Sequence, residues 1–197
     1  MVSQEGLETH QYNDSKHRKD LEEFCLKCRN LNYHNNNSFD SMRLHWCLNR
    51  GGQFYLTYLD NTLIGLSGCH PLTDVGKDVY RVLFRGIELP EYRNVFKIMS
   101  KTHMSAIPFY YHVPLEIKWA QQNNAKHIVV TTNWSNPDGI TSMNKSHRVF
   151  QGLNKQGIVD CMEEKISLFG VDQSVWEINL EKYHSAREGF RKRNGLR

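Results

Sequence analysis

Apolar positions along the chain change their spacing from segment to segment, and the changes mark out the elements. From Asp14 or Ser15, either of which can cap a helix start, to about Arg29, the apolar residues Leu21, Phe24, Cys25 and Cys28 recur three and four apart. That is the stripe of a helix with one buried face. A second helix reads over roughly residues 39–48, with Phe39, Met42, Leu44, Trp46 and Cys47 as its apolar members and Gly51-Gly52 to stop it. The period then shortens. Gln53–Leu59 and Thr62–Cys69 are β-like and are joined by Asp60-Asn61, two residues that tolerate the positive φ of a tight hairpin turn. Tyr80–Leu89 is apolar on both faces, as a central strand is.

The next helix runs from about Phe109 to Asn123, unless Pro114 marks its true start near His112 or Val113. A short strand, Ile128–Thr131, follows it directly. A helix over roughly residues 140–155 ends at Gln156-Gly157, and two β-like runs, Val159–Phe169 and Ser174–Leu180, close the pattern. Residues 1–13 read as a polar, loosely held segment and 182–197 as a basic, solvated tail, leaving one α/β (α+β) domain over 14–181. The stretch from Val79 to Thr132 is a strand–helix–strand crossover, whose two strands run parallel under the helix. Backbone N–H groups converge at the turn into such a helix, which makes residues 100–107 a candidate anion site. A doubly wound sheet would need regular alternation of strand and helix, and that is absent.

Composition narrows the classes. A chain of 197 residues can bury a core, and no apolar run approaches the length of a membrane span. The first residues are too polar for a signal peptide. Five scattered cysteines fit reduced thiols rather than a disulfide frame, so the expectation is a soluble, cytoplasmic protein. Cys25 and Cys28 form a C-x-x-C with no second pair or nearby His to complete a zinc set, and no metal site is expected. Residues 187–197 hold five basic residues and one acidic one; the other 186 are balanced at 20 of each sign. The body is therefore not that of a nucleic-acid binder, and the tail alone offers phosphate a footing. No G-x-S-x-G, P-loop or dinucleotide fingerprint occurs.

The element order over residues 18–181 resembles that of the GCN5-related N-acetyltransferases. The resemblance implies a mixed, mostly antiparallel central sheet with helices on both faces, acetyl-CoA as co-substrate, and a small-molecule or peptide amine as acceptor. It leaves the oligomeric state open, a homodimer included. The family's pyrophosphate loop reads Gln or Arg, two residues, Gly, one residue, then Gly or Ala. Here the matching run is Lys101-Thr102-His103-Met104-Ser105-Ala106: Lys101 and Ala106 fit, and Met104 replaces the first glycine. The connection from Leu89 is also about ten residues longer than the family's usual one. Two readings stand. Either Thr102, Ser105 and the loop amides hold phosphate with Lys101 as counter-charge, or the cofactor site has degenerated and the fold binds a ligand or partner without catalysis.

The family's general base falls near Glu88. Its neighbours Val82, Phe84 and Gly86 would desolvate it and raise its pKa, whereas the adjoining Pro90-Glu91 would place it in solvent. Aligning Gly157-Ile158 with the family's Gly-Phe pair puts Leu153 where a tyrosine often protonates the departing thiolate, and leucine carries no proton to give. His70, His103, His112 and His147 lack metal-ligand spacing and read as surface or satisfied core residues; His103 lies inside the candidate phosphate loop. Trp134 reads as covering a core edge, with substrate contact as its alternative. Transfer from an aminoacyl-tRNA, which related folds perform, has only the basic tail behind it.

Overall fold

The computed structural model describes residues 7–30, 47–82, 112–134, 145–168 and 170–194. It holds seven strands and four helices within those bounds: β1 (Leu7–Gln11), α1 (Asp14–Asn30), β2 (Gln53–Leu59), β3 (Thr62–Pro71), β4 (Val79–Val82), α2 (Val113–Gln122), β5 (His127–Asn133), α3 (Lys145–Lys155), β6 (Val159–Leu168), β7 (Val171–Ile178) and α4 (Leu180–Asn194). Two compact units share them, one built from residues up to Pro71 with Val82–Asn124, the other from Leu72–Arg81 and Ala125 onward.

In the first unit β1, β2 and β3 pair antiparallel in that order. Asp60 and Asn61 adopt φ of 47° and 64°, which is the two-residue turn their side chains predict. The β2 ribbon splits its side chains between two layers. Phe54, Leu56 and Tyr58 join Leu21, Phe24 and Cys25 of α1 in one core, while Tyr55 and Thr57 turn to the opposite face, against α2. Helices therefore cover both faces of this ribbon. A Cβ at Gly68 would stand 2.5 Å from the Phe54 ring, so the absence of a side chain there lets the ring pack flat on β3.

The start of α1 falls one residue before its sequence reading. The Asn13 carbonyl takes the first helical hydrogen bond, from His17 N at 2.9 Å. The end of the second predicted helix is described from Cys47 on. Gly51 N–H meets the Leu48 carbonyl at 2.9 Å and Gly52 N–H the Cys47 carbonyl at 2.8 Å, with Gly51 at φ 77°. This is the left-handed glycine stop that the Gly-Gly pair predicts.

In the second unit β4 and β5 run parallel, β5 pairs antiparallel with β7, and β7 with β6. Of the five strand pairings with a described register, only β4–β5 is parallel, so the fold is mixed and mostly antiparallel. Leu72, Val79, Val129, Leu168 and Val175 form one apolar cluster. Phe150 of α3 and Trp176 of β7, both buried, stack 6.0 Å apart in another layer. Gly157, at φ 68°, closes α3 with hydrogen bonds from Gly157 N to the Asn154 carbonyl and from Ile158 N to the Leu153 carbonyl.

Two segments differ from their sequence reading. Leu7–Gln11, within the polar start, is a strand paired along its whole length with β2. Much of the basic tail is helix α4, which Asn179 caps through its side chain to Lys182 N at 3.1 Å and which buries Tyr183.

Candidate functional site

Glu88 and the run Lys101, Thr102, His103, Met104, Ser105 and Ala106 lie outside the described residues. The structure describes what flanks them: β4 as far as Val82, the chain again from His112 into α2, and β5 with its neighbours. Pro114 sits in the first described turn of α2, and the alternative start at Phe109 lies outside the described residues. Among the described residues no side chain caps this end.

The buried side of α2 is polar at two places. His112 and Glu116, four residues apart and hence on one helix face, are both fully buried. Across from them on the ribbon stand Thr57 of β2 and Ser67 of β3, also fully buried. The Thr57 hydroxyl and His112 Nε2 share a hydrogen bond of 2.5 Å, and Thr57 continues to the Thr9 hydroxyl of β1 at 3.1 Å. Ser67 donates to the Glu116 carboxylate. The Tyr55 hydroxyl donates to the Leu115 main-chain carbonyl at 3.2 Å. His112 Nδ1 is buried with no hydrogen-bond partner among the described residues.

Burial sets the protonation here. It pushes the His112 imidazolium down to about 3, so this imidazole is neutral at any physiological pH. Burial, then the neighbouring Glu116, lifts the Tyr55 phenol to about 12 and holds the Cys69 thiol well above its usual value. The Cys161 thiol is raised too, by burial and then by Glu164 and Glu163. Neither thiol is a ready nucleophile, which points away from a covalent cysteine intermediate at these two positions.

A second polar cluster lies at the C-terminal end of β5. His147 of α3 is 2 % exposed, and its ring stands 5.3 Å from both the Trp134 and Trp176 rings. Its Nδ1 meets the Thr132 hydroxyl at 3.2 Å and the Ser174 hydroxyl at 3.3 Å. Trp176 Nε1–H donates to the same Thr132 oxygen at 2.8 Å, and Ser174 donates to the Glu164 carbonyl. Burial lowers the pKa of His147 against an opposing pull from Glu164. Trp134 donates to the Glu164 carbonyl at 2.6 Å with Lys165 over its ring, so it closes a core edge as its sequence reading expects. Leu153 is half-buried on α3.

The described histidines of the sequence reading are thus core residues, and His70 is buried as well. Sequence reasoning missed Glu116, Thr57, Ser67, Thr132 and Ser174. The one readable signal was spacing, since His112 and Glu116 stand at i, i+4 on the helix face that also carries Val113, Ile117 and Ala120. Among the described residues no group of three or more His, Cys, Asp and Glu is placed to hold a metal, and no helix is long and apolar enough to cross a membrane.

The parallel β4–β5 pair joined through α2, with an antiparallel ribbon before it and an antiparallel pair after it, is the fold of the GCN5-related N-acetyltransferases (GNAT). An acetyltransferase from Streptococcus agalactiae matches at a TM-score of 0.52 and 16% identity, over 88% of this chain and 98% of that one. A GNAT-family acetyltransferase from Streptococcus pneumoniae matches at 0.51 and 11%, over 88% and 99%. The putative acetyltransferase yncA from Salmonella typhimurium, solved with its cofactor acetyl-CoA, matches at 0.53 and 12%, over 89% and 94%. At these identities the likeness is one of fold. No family model and no curated protein matches the amino-acid sequence.

Proposed function

We propose that this chain is an acyl-CoA-dependent N-acyltransferase that moves an acetyl group from acetyl-CoA to a small-molecule or peptide amine. The observation that carries the reading is the crossover from β4 through α2 to β5, set in a fold shared with acetyltransferases, one of them holding acetyl-CoA. In this reading the amides at the start of α2 and the run Lys101–Ala106 take the diphosphate, with Lys101 as counter-charge. Glu88 accepts the proton of the attacking amine. The amine nitrogen forms the new C–N bond, the tetrahedral oxyanion collapses, and the C–S bond breaks. The thiolate of CoA takes its proton from water, because Leu153 occupies the place of a proton-donating tyrosine.

That same leucine, together with Met104, favours a second reading, a non-catalytic protein of this fold with a degenerate cofactor site. Release of free CoA thiol from acetyl-CoA, followed over a panel of amines and peptides, separates the two. The transferase reading expects amine-dependent thiol release, a loss of about 100-fold in Glu88→Gln, and weaker acetyl-CoA binding in Lys101→Ala. A chain that binds acetyl-CoA but releases no thiol with any acceptor, and is unchanged by Glu88→Gln, supports the second reading instead.

A further inference from the structure

Where β1 hands over to α1, four rings gather in the first unit: His10 of β1, Tyr12 of the link, His17 of α1 and Tyr58 of β2. The ring centroids of His10 and His17 stand 6.0 Å apart, and Tyr58 lies 5.6 Å from the first and 6.4 Å from the second. Tyr12 is 6.1 Å from His17. The main chain is tied in as well. Asn13 N–H donates to His17 Nδ1 at 2.9 Å, while the Asn13 carbonyl accepts from His17 N. A ring nitrogen accepts a hydrogen bond only when it carries no proton, so this contact assigns His17 the neutral tautomer protonated on Nε2. Its one free nitrogen is the one in use. A second proton must go to Nδ1, where it would set donor against donor and break the bond to Asn13.

The surrounding charges bear on the same proton. His10 Nε2 meets the Glu8 carboxylate at 3.0 Å, and in its protonated form His10 places a positive charge one ring contact from His17. His17 is half-buried. Burial first, then His10, hold its pKa below the ordinary 6.5, with Asp20 pulling the other way and Lys16 adding to the depression. The N-terminal end of α1 opposes a cation there too. Asp14 and Asp20 are engaged by the Tyr12 and Tyr58 hydroxyls at 2.7 and 2.8 Å, and Asp14 also by Arg18 at 3.5 Å. Both phenols are raised, by burial first, so they keep their protons throughout.

We propose that His10 and His17 form a pH-sensitive latch, which ties β1 to the start of α1 while the rings are neutral and loosens it in mild acid. β1 is the segment such a latch can control. Among the described strands it pairs with β2 alone, over 5 residues, and it leads straight into Asn13. The bond to Asn13 sets the sign. In the closed segment His17 resists its second proton, and in an opened one it titrates normally, so the open state binds more protons as the pH falls. The latch is therefore fully set above 6.5 and is lost as the pH drops through the depressed His17 value. It works without acyl-CoA and does not depend on the transferase reading.

Amide hydrogen exchange of the full chain, corrected for intrinsic rates, is read at about pH 7.5 and about pH 5.5, on either side of ordinary histidine titration. The protected amides of Leu7–Gln11 and that of Asn13 are expected to lose protection severalfold in acid, while those of β3 hold. His17→Gln, whose amide oxygen can accept from Asn13 without titrating, is expected to keep the β1 amides within about twofold between the two conditions. A loss in His17→Gln equal to that of the unsubstituted chain overturns the proposal, as does a β1 ladder in the unsubstituted chain that acid leaves unchanged. An NMR titration of the histidine rings serves if His17→Gln does not fold. It is expected to place His17 below 6.5 in the unsubstituted chain and to move it upward in His10→Gln. A His17 that titrates at or above 6.5, or that is indifferent to His10→Gln, overturns the latch equally.

Discussion

Acidification from pH 6.5 toward 3 is expected to cost the chain stability steeply, and His112→Gln is expected to flatten that fall. His112 is fully buried, and burial holds its pKa at about 3 against an ordinary 6.5. In the unfolded chain the imidazole gains its proton as the pH passes 6.5; in the folded chain it does not until about 3. The unfolded state therefore binds more protons across this window, so stability is fully present above 6.5 and is lost as the pH falls. The slope from this one group is up to about 1.4 kcal/mol per pH unit. Carboxylates and other histidines add their own acid dependence, and they do so in both proteins, so the difference between the two curves isolates His112. Urea unfolding at half-unit pH steps supplies those curves. Parallel curves for the unsubstituted chain and His112→Gln would show that this imidazole titrates normally and is not sealed beneath α2.

Thr132→Val should be the most damaging one-atom-scale change among the described residues at the end of β5. The Thr132 hydroxyl accepts from Trp176 Nε1–H and meets His147 Nδ1, all within a buried cluster. Valine keeps the shape and removes the oxygen, which strands an indole donor and takes one of two hydroxyls from the imidazole. The stranded indole donor costs about 1–3 kcal/mol. For a chain of this size that corresponds to a fall of roughly 3–12 °C in melting temperature. Thr132→Ser, which retains the oxygen, should lose far less. A loss below about 1 kcal/mol in the valine variant would mean that water or a rotated Ser174 replaces the hydroxyl.

Much of the fold was legible because local chemistry and tertiary structure agree. Asp60-Asn61 turns the hairpin, Gly51 and Gly157 stop helices, and the apolar stretch at Ile128 is a strand parallel to β4. Strand β1 was not legible. Leu-Glu-Thr-His-Gln has no alternation to read, and it is ordered by the ladder that β2 offers, a contact with residues some fifty positions away. Helix α4 was hidden by its charge. Asn179 before Leu-Glu-Lys-Tyr was the available sign, a cap followed by an acidic first turn.

The polar cluster under α2 was illegible for a different reason. Spacing puts His112 and Glu116 on one helix face but does not mark that face as buried, because what covers them is Thr57 and Ser67 on a ribbon 55 and 49 residues earlier. The candidate residues taken from family resemblance, Glu88 and Lys101–Ala106, fall outside the described residues. Their roles as base and phosphate loop stand as proposals.

The most direct measurement is the melting temperature of the full chain in millimolar acetyl-CoA, set beside free CoA, longer acyl-CoAs and ATP at the same concentration. A ligand that binds only the folded state raises stability by mass action, by about 2.7 kcal/mol at a hundredfold excess over its dissociation constant. The transferase account predicts a rise with acetyl-CoA that grows with its concentration and shrinks in Lys101→Ala. No rise with acetyl-CoA or any other acyl-CoA would contradict it.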